Sequence, residues 1–507
     1  MKKMKLKAIK YSFLLSAGLL AFSSCSEDYL EVKPTGTNLE SNYYQNQDQA
    51  YSALIAVYDL MRKHAGGFEN LTAMLNAGSD DFHAGGGSAA DGAGIQSFST
   101  YTINSATIPM SFWSDYYQGI FRANTLLVKL PDIPMDEAVK TRFTAETKAL
   151  RAYYYFQLVT MFRNIPLITT PLATSEFYNV TQANPADVYA QIEQDLLEAI
   201  PNLPTNLNIA TEAGRLNRGA GQAILGKVYL FEHKNAEAAA MFAEVNGDPT
   251  SGSNQYGYQL LDNYADLWIV DNKFNSESIL EASHTKLSNA GWGNWGSGSD
   301  EGNSLNVMVG PRGYSASSPS APQYETGWSF NTVTLDYVDF MEGDPRFDAT
   351  IADLNALVTQ GLAIYSPANQ DTGYFLKKFM PTHDDITDGG GDVVLNYRQN
   401  FYVIRLADTY LMEAEALGGT GARAQALLTA VRARVGLSPV NVTPQAVADE
   451  RRRELGGEGH RWLDLVRRGE AATVLGPRGF TAGKNEIWPI PLRELENTQL
   501  VQNPNYN

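Results

Sequence analysis

TAETKALRAYYYFQLVTMFRNIPL, residues Thr144 to Leu167, is the stretch from which the fold can be read. Leu150, Tyr154, Leu158 and Phe162 recur every four residues, which lays them along one helical face. Pro166 then forces a stop. Its partner, PADVYAQIEQDLLEAIPNLP, opens on Pro185, a favourable first-turn residue. The two predict a helix pair spanning about 144–200.

The pattern repeats in both directions along the chain. QNQDQAYSALIAVYDLMRK (Gln45 to Lys63) sets Ala50, Leu54, Val57, Tyr58 and Met61 on one face. With YYQGIFRANTLLVKL it predicts a pair over about 45–130. NRGAGQAILGKVYLFEHKNAEAAAMFAEV predicts a third pair over 218–246, with a stripe of Leu225, Val228 and Tyr229 and a turn at Asn235. A fourth, over 402–435, turns at Gly418 to Gly421. Small residues at Ala223, Gly226, Ala414 and Ala416 let neighbouring helices approach closely. The reading is a mostly α fold whose four helix pairs resemble tetratricopeptide units, interrupted by long inserts.

Two inserts differ in composition. Residues 76–110 are dense in Gly and Ser. Residues 285–330 add Trp292, Trp295, Tyr314, Tyr324 and Trp328 to a similar background. Loops of this length are usually functional or disordered, and aromatic enrichment argues against disorder. Both are read as ordered, ligand-facing segments.

The chain holds one cysteine in 507 residues. It can close no intramolecular disulfide and build no cysteine-rich metal cluster. Its place suggests another use. Lys2, Lys3, Lys5, Lys7 and Lys10 precede a 12-residue, mostly apolar stretch from Tyr11 to Phe22. That is too short to span a bilayer core of ~30 Å as a helix. Residues 1–24 read as a secretory signal. The junction with Cys25 resembles a bacterial lipobox, with Phe22 where leucine is usual. That resemblance implies lipidation of Cys25 and leaves residues 25–507 as one tethered body. Ser26-Glu27-Asp28 resembles an acidic export tag of surface lipoproteins. Removing residues 1–24 takes five lysines and no acids, and shifts the net charge from −17 to −22. So acidic a surface repels nucleic acid and anionic lipid.

Taken in order, the segments resemble the SusD/RagB family of outer-membrane nutrient-binding lipoproteins. The resemblance rests on RAYYYFQLVTMFRNIPL, RLNRGAGQAILGKVYLF, YVIRLADTYLMEAEA, ERRRELGGEGHRWLDLVRRG and WPIPLRELENTQLVQNPNY. It implies an α-rich, SusD-like scaffold with irregular ligand-binding loops on one side. It also implies a SusC-like TonB-dependent transporter as partner, an oligosaccharide as cargo, and the outer membrane as location.

Sugar rings have apolar C–H faces, against which rigid aromatic rings stack at low entropic cost. Trp292, Trp295 and Tyr314 are the leading candidates for such contacts. In the first insert, which the resemblance places on the same surface, Asp80, Asp81 and His83 are candidates for hydroxyl contacts. Phe98 and Tyr101 are candidates for stacking; for Asp80 and Asp81, a helix end or turn is the alternative. Family members often carry a tryptophan in this loop. None stands between Asn76 and Met110, which implies a different glycan.

ERRRELGGEGHRWLDLVRRGE admits two readings. Glu450 and Glu454 could be the acid and base of a glycosidase. Alternatively, the segment is a charged helix locked by buried Arg–carboxylate pairs, with Trp462 in the core. The resemblance favours the second, and with it a protein that binds without cleaving. The other alternative is the same architecture binding peptides or another nutrient. The Asp-rich runs SDEGNS and HDDITDGGGD lack the spacing of an EF-hand calcium loop, so a structural calcium ion is unsupported. No metal-ligating His pair, nucleophile elbow, Walker loop or dinucleotide fingerprint is visible, and no cofactor is expected.

Overall fold

The computed structural model describes residues 43–506 except 286, 288, 296–300 and 386–389. The expected signal over 1–24 and the lipidation site Cys25 lie outside the described residues.

The fold is mostly α and is organised as successive helix pairs. Helix α1 (Gln47–Tyr58) packs on α2 (Ser111–Lys129), and α2 on α3 (Glu137–Phe162). Next come α4 (Pro185–Ala199), α5 (Arg218–Phe231) and α6 (Asn235–Asn246), each against its predecessor. Helix α6 packs on α7 (Leu406–Ala416), which pairs with α8 (Gly421–Arg434) and also meets α9 (Pro444–Leu455). The stripe read from the sequence is the core: Leu150, Tyr154, Leu158 and Phe162 are all at most 1% exposed.

Two crossings depend on absent side chains. A Cβ at Gly119 on α2 would stand 2.6 Å from the Tyr154 ring. One at Gly226 on α5 would stand 2.8 Å from the Phe242 ring on α6. In both places the missing carbon lets an aromatic ring fill the groove between helices.

The structure corrects several boundaries. Helix α3 starts at Glu137 rather than Thr144, because Asp136 caps it by accepting from the Ala138 and Val139 amides. It ends before the proline, at Arg163 with φ +60°. The turn before α6 is made by His233 at φ +60°, and Asn235 is already helical. Helix α1 tightens into a 3₁₀ turn, Asp59–His64. YVIR is not helical: Phe401–Arg405 is strand β2, antiparallel to β1 (Ser278–Ala282), and α7 begins at Leu406.

Helix α9 starts at a Thr443 cap and is followed by α10 (Arg461–Arg467). Trp462 is 3% exposed and packs 5.7 Å from Trp488. The charged signature is a buried lock. Glu450 meets Arg346 and Arg432, while Glu454 meets Arg346, Arg405 and Arg434.

Candidate functional site

Three indoles from the second insert converge. Gly291 to Trp295 form a tight turn, closed by the Asn294 amide donating to the Gly291 carbonyl at 3.0 Å. The turn is held from outside by Asp392, whose carboxylate accepts from the Trp292 amide at 3.2 Å. This leaves Trp292 59% exposed. Trp295 is half-buried, and its Nε1–H donates to Ser304 Oγ at 2.8 Å, at the start of the short helix Ser304–Val309. Trp328 enters from the far end of the insert and is fixed by its amide donating to the Val307 carbonyl at 2.8 Å.

The rings of Trp292 and Trp328 lie 6.1 Å apart at 27°, nearly parallel. Trp295 stands edge-on to both, at 5.7 and 5.5 Å. Phe68 braces them, 5.9 Å from Trp295 and 6.1 Å from Trp328, and itself rests on Phe330 at 5.2 Å. These are the separations at which aromatic pairs attract, so the indoles form a rigid unit.

The first insert closes one side. Gly92 has φ +70°, and a Cβ there would stand 2.8 Å from the Phe68 ring, so only glycine lets the loop seat on it. Arg312 ties the inserts together, donating from Nη2 to Asp91 at 2.8 Å and from Nε to the Trp328 carbonyl at 3.0 Å. Arg312 and Asp91 are each about one-third exposed beside the indoles. The arrangement supplies an apolar, flat-walled surface with a charged pair at its edge, suited to a ring with C–H faces and hydroxyl rims.

A solved structure of a laminarin-binding SusD-like protein superposes on this fold with a TM-score of 0.90 at 64% identity, covering 91% of this chain and 100% of the other. This chain belongs to the SusD family. The family model described as "SusD family" matches residues 276–506, and one described as "Starch-binding associating with outer membrane" matches 28–230. Surface glycan-binding protein A from Bacteroides fluxus is 28% identical with a TM-score of 0.79, over 91% of this chain and 100% of its own. SusD-like protein P38 of Formosa agariphila is 25% identical over the full length of both chains. Among the described residues no helix is long and apolar enough to cross a membrane.

Within this SusD-like frame the platform collects only part of the expected residues. Trp292 and Trp295 belong to it. Tyr314 does not: it is 8% exposed, its hydroxyl donates to the Pro322 carbonyl at 2.6 Å, and its ring packs with Tyr324, Leu354 and Phe375. Asp81 is fully buried and accepts from Arg452 Nε at 2.7 Å, so it is closed to a ligand. Burial pushes its carboxyl up to about 6, against the pull of Arg452. Asp80 accepts two 2.8 Å bonds from Arg461. Despite burial, that pairing holds its carboxyl below the ordinary range. Both aspartates therefore bolt the first insert to the C-terminal signature.

His83 is half-buried near Arg478 and Asp336, not at the indoles; burial lowers its imidazole to about 4. Tyr101 donates its hydroxyl to the Gly78 carbonyl and sets its ring edge-on to Phe480 at 5.2 Å. Phe98 is 4% exposed against Trp488. Trp328 and Asp392 stand in segments that the sequence marks out, the aromatic insert and the HDDITDGGGD run, but neither is among the ligand candidates there. Phe68 and Arg312 are recognisable only by contact.

Glu450 and Glu454 are at most 1% exposed and ion-paired throughout. Neither has a face open to a glycosidic oxygen. Among the described residues no cluster of His, Cys, Asp or Glu has the geometry of a metal centre.

Proposed function

We propose that this protein is a lipid-anchored, surface-exposed outer-membrane protein that binds a neutral glucan of the laminarin type without cleaving it. It would then hand the oligosaccharide to a SusC-like TonB-dependent transporter. The observation that carries the reading is the Trp292–Trp295–Trp328 unit, braced by Phe68 and open at Trp292. The laminarin-binding relative at 64% identity supports the choice of glycan. The acidic net charge supports a neutral ligand over a uronate or sulfated one. The single cysteine behind a short apolar run supports the anchor. Stacking contributes on the order of 1 kcal/mol per ring beyond its buried area, so modest affinity is expected.

Affinity electrophoresis in laminarin-containing gels, with a parallel assay for new reducing ends, tests the reading. Retardation without new reducing ends is the expected result. Absence of retardation, or release of reducing ends by pure protein, overturns it. Co-purification of the tagged protein with an outer-membrane transporter tests the delivery step.

A further inference from the structure

A cleft of ≈ 880 Å³ opens elsewhere on the molecule and is lined by none of the three platform indoles. It lies between the 3₁₀ turn Tyr264–Trp268, the segment 377–385, and Arg398. We infer that this cleft is a second carbohydrate site, taking a neutral oligosaccharide independently of the indole platform.

Its size lies within the range of small-molecule sites, roughly 300–1,000 Å³. Its apolar wall is Trp268 and Ile269, with Tyr324 and Met380. Trp268 is half-buried and held rigid. Phe379 and Tyr402 meet it edge-on at 5.7 and 6.0 Å, and Lys378 Nζ sits 4.7 Å over the ring. Its Nε1–H is a donor with no acceptor among the described residues. Ile269 is 54% exposed beside it. A fixed indole beside an open aliphatic surface is the combination that a sugar's C–H face covers.

The polar rim decides the class. Asp262, Asp348 and Asp384 are exposed there, and their carboxylates accept no hydrogen bond from the described residues. The cations of the cleft are already committed. Lys378 is bound to Glu458, Arg434 to Glu277, and Arg398 to Asp271. Lys377 donates to the Asp348 carbonyl at 2.6 Å. The rim therefore offers acceptors in excess of donors. That suits the hydroxyl donors of a neutral sugar and repels sulfate or uronate groups. The choice of ligand class rests on the glycan-binding reading above; the location of the cleft does not.

The test uses laminarihexaose with calorimetry and hydrogen exchange on three proteins: wild type, Trp292→Ala/Trp328→Ala, and that variant with Asp262→Ala and Asp348→Ala added. All four positions are partly or fully exposed, so the fold should survive, and circular dichroism checks that it does. The expected result is two sites on the wild type and one on the platform variant, with protection confined to the segments that line the cleft, 262–271, 345–349, 377–385, 398–399 and 434–435. The further substitutions should weaken that remaining site by roughly tenfold or more. The cleft proposal is overturned if the platform variant binds no sugar while the wild type does. Protection in other segments, or protection by spermidine instead of the hexasaccharide, overturns it as well. Binding in the cleft with none at the indoles upholds the proposal and overturns the platform reading. No binding by the wild type overturns both.

Discussion

Arg405 Nη1 donates to Glu454 Oε1 at 2.6 Å, and neither side chain is more than 1% exposed. Around this contact Arg346 and Arg434 reach the same carboxylate, while Glu277, Glu450 and Glu458 complete the set. The chain thereby joins β1, β2, α8 and α9 through charges in a dry interior. Charges so buried are tolerated only because each meets its opposite at close range. Replacing Glu454 by Ala removes one carboxylate partner from each of three buried guanidinium groups. The expected cost is about 3–5 kcal/mol, measured by urea unfolding; a cost near zero would refute the lock.

The same interior makes stability depend on pH. Burial holds His284 neutral down to about 4, whereas the unfolded chain protonates it near 6.5. As pH falls through this window the unfolded state binds the proton first, so stability falls, by on the order of 2–3 kcal/mol at about pH 4.5. Despite burial, Arg405 and Lys378 hold the Glu458 carboxyl below 4.5, so its contribution persists above that pH and fades below. Denaturant midpoints from pH 7.5 to 4.5 should decline steadily, and His284→Gln should make the decline shallower without abolishing it, since burial lowers His83 and His460 to about 4 as well.

At the platform, exposure separates binding from folding. Trp292→Ala should weaken glucan binding roughly tenfold and leave the melting temperature nearly unchanged. Trp295→Ala should lower both, because it also removes the bond to Ser304 and the contact with Phe68. Equal thermal effects in the two variants would contradict this division.

Arg312 carries its own test. Its bonds to Asp91 and the Trp328 carbonyl add a side-chain link between the two inserts to the backbone bond that the Gly86 amide donates to the Ser329 carbonyl. Arg312→Ala should speed amide exchange across 85–92 and weaken binding several-fold, at a stability cost of under about 1 kcal/mol for so exposed a pair.

The Gly119 crossing leaves no slack. Tyr154 is fully buried and its hydroxyl is bonded to the Val57 carbonyl, so it cannot give way to a new Cβ. Gly119→Ala should cost about 1–3 kcal/mol by overpacking. Thermal unfolding would show it, with sugar binding of the folded protein intact.

The four helix pairs were legible in the sequence because a helix declares its buried face within a few residues. The stripe of α3 and the turn at Gly418 to Gly421 carry their own signals, and the structure places both as read. So does the aromatic enrichment of the second insert. YVIR illustrates the limit: a four-residue run ending in Arg405 has no period to read, and it becomes a strand only because β1 lies alongside.

What the sequence determined by itself was the scaffold, the aromatic insert and the acidic balance, since each follows from neighbouring residues or from simple sums. Which candidates face a ligand was decided by tertiary structure alone. Asp80 and Asp81 look like surface acids until Arg461 and Arg452, more than 370 positions away, arrive to neutralise them. Tyr314 looks like a third stacking ring until Leu354 and Phe375 cover it. Burial and ion pairing depend on distances in space, and a linear chain does not record distances between parts brought together only by folding.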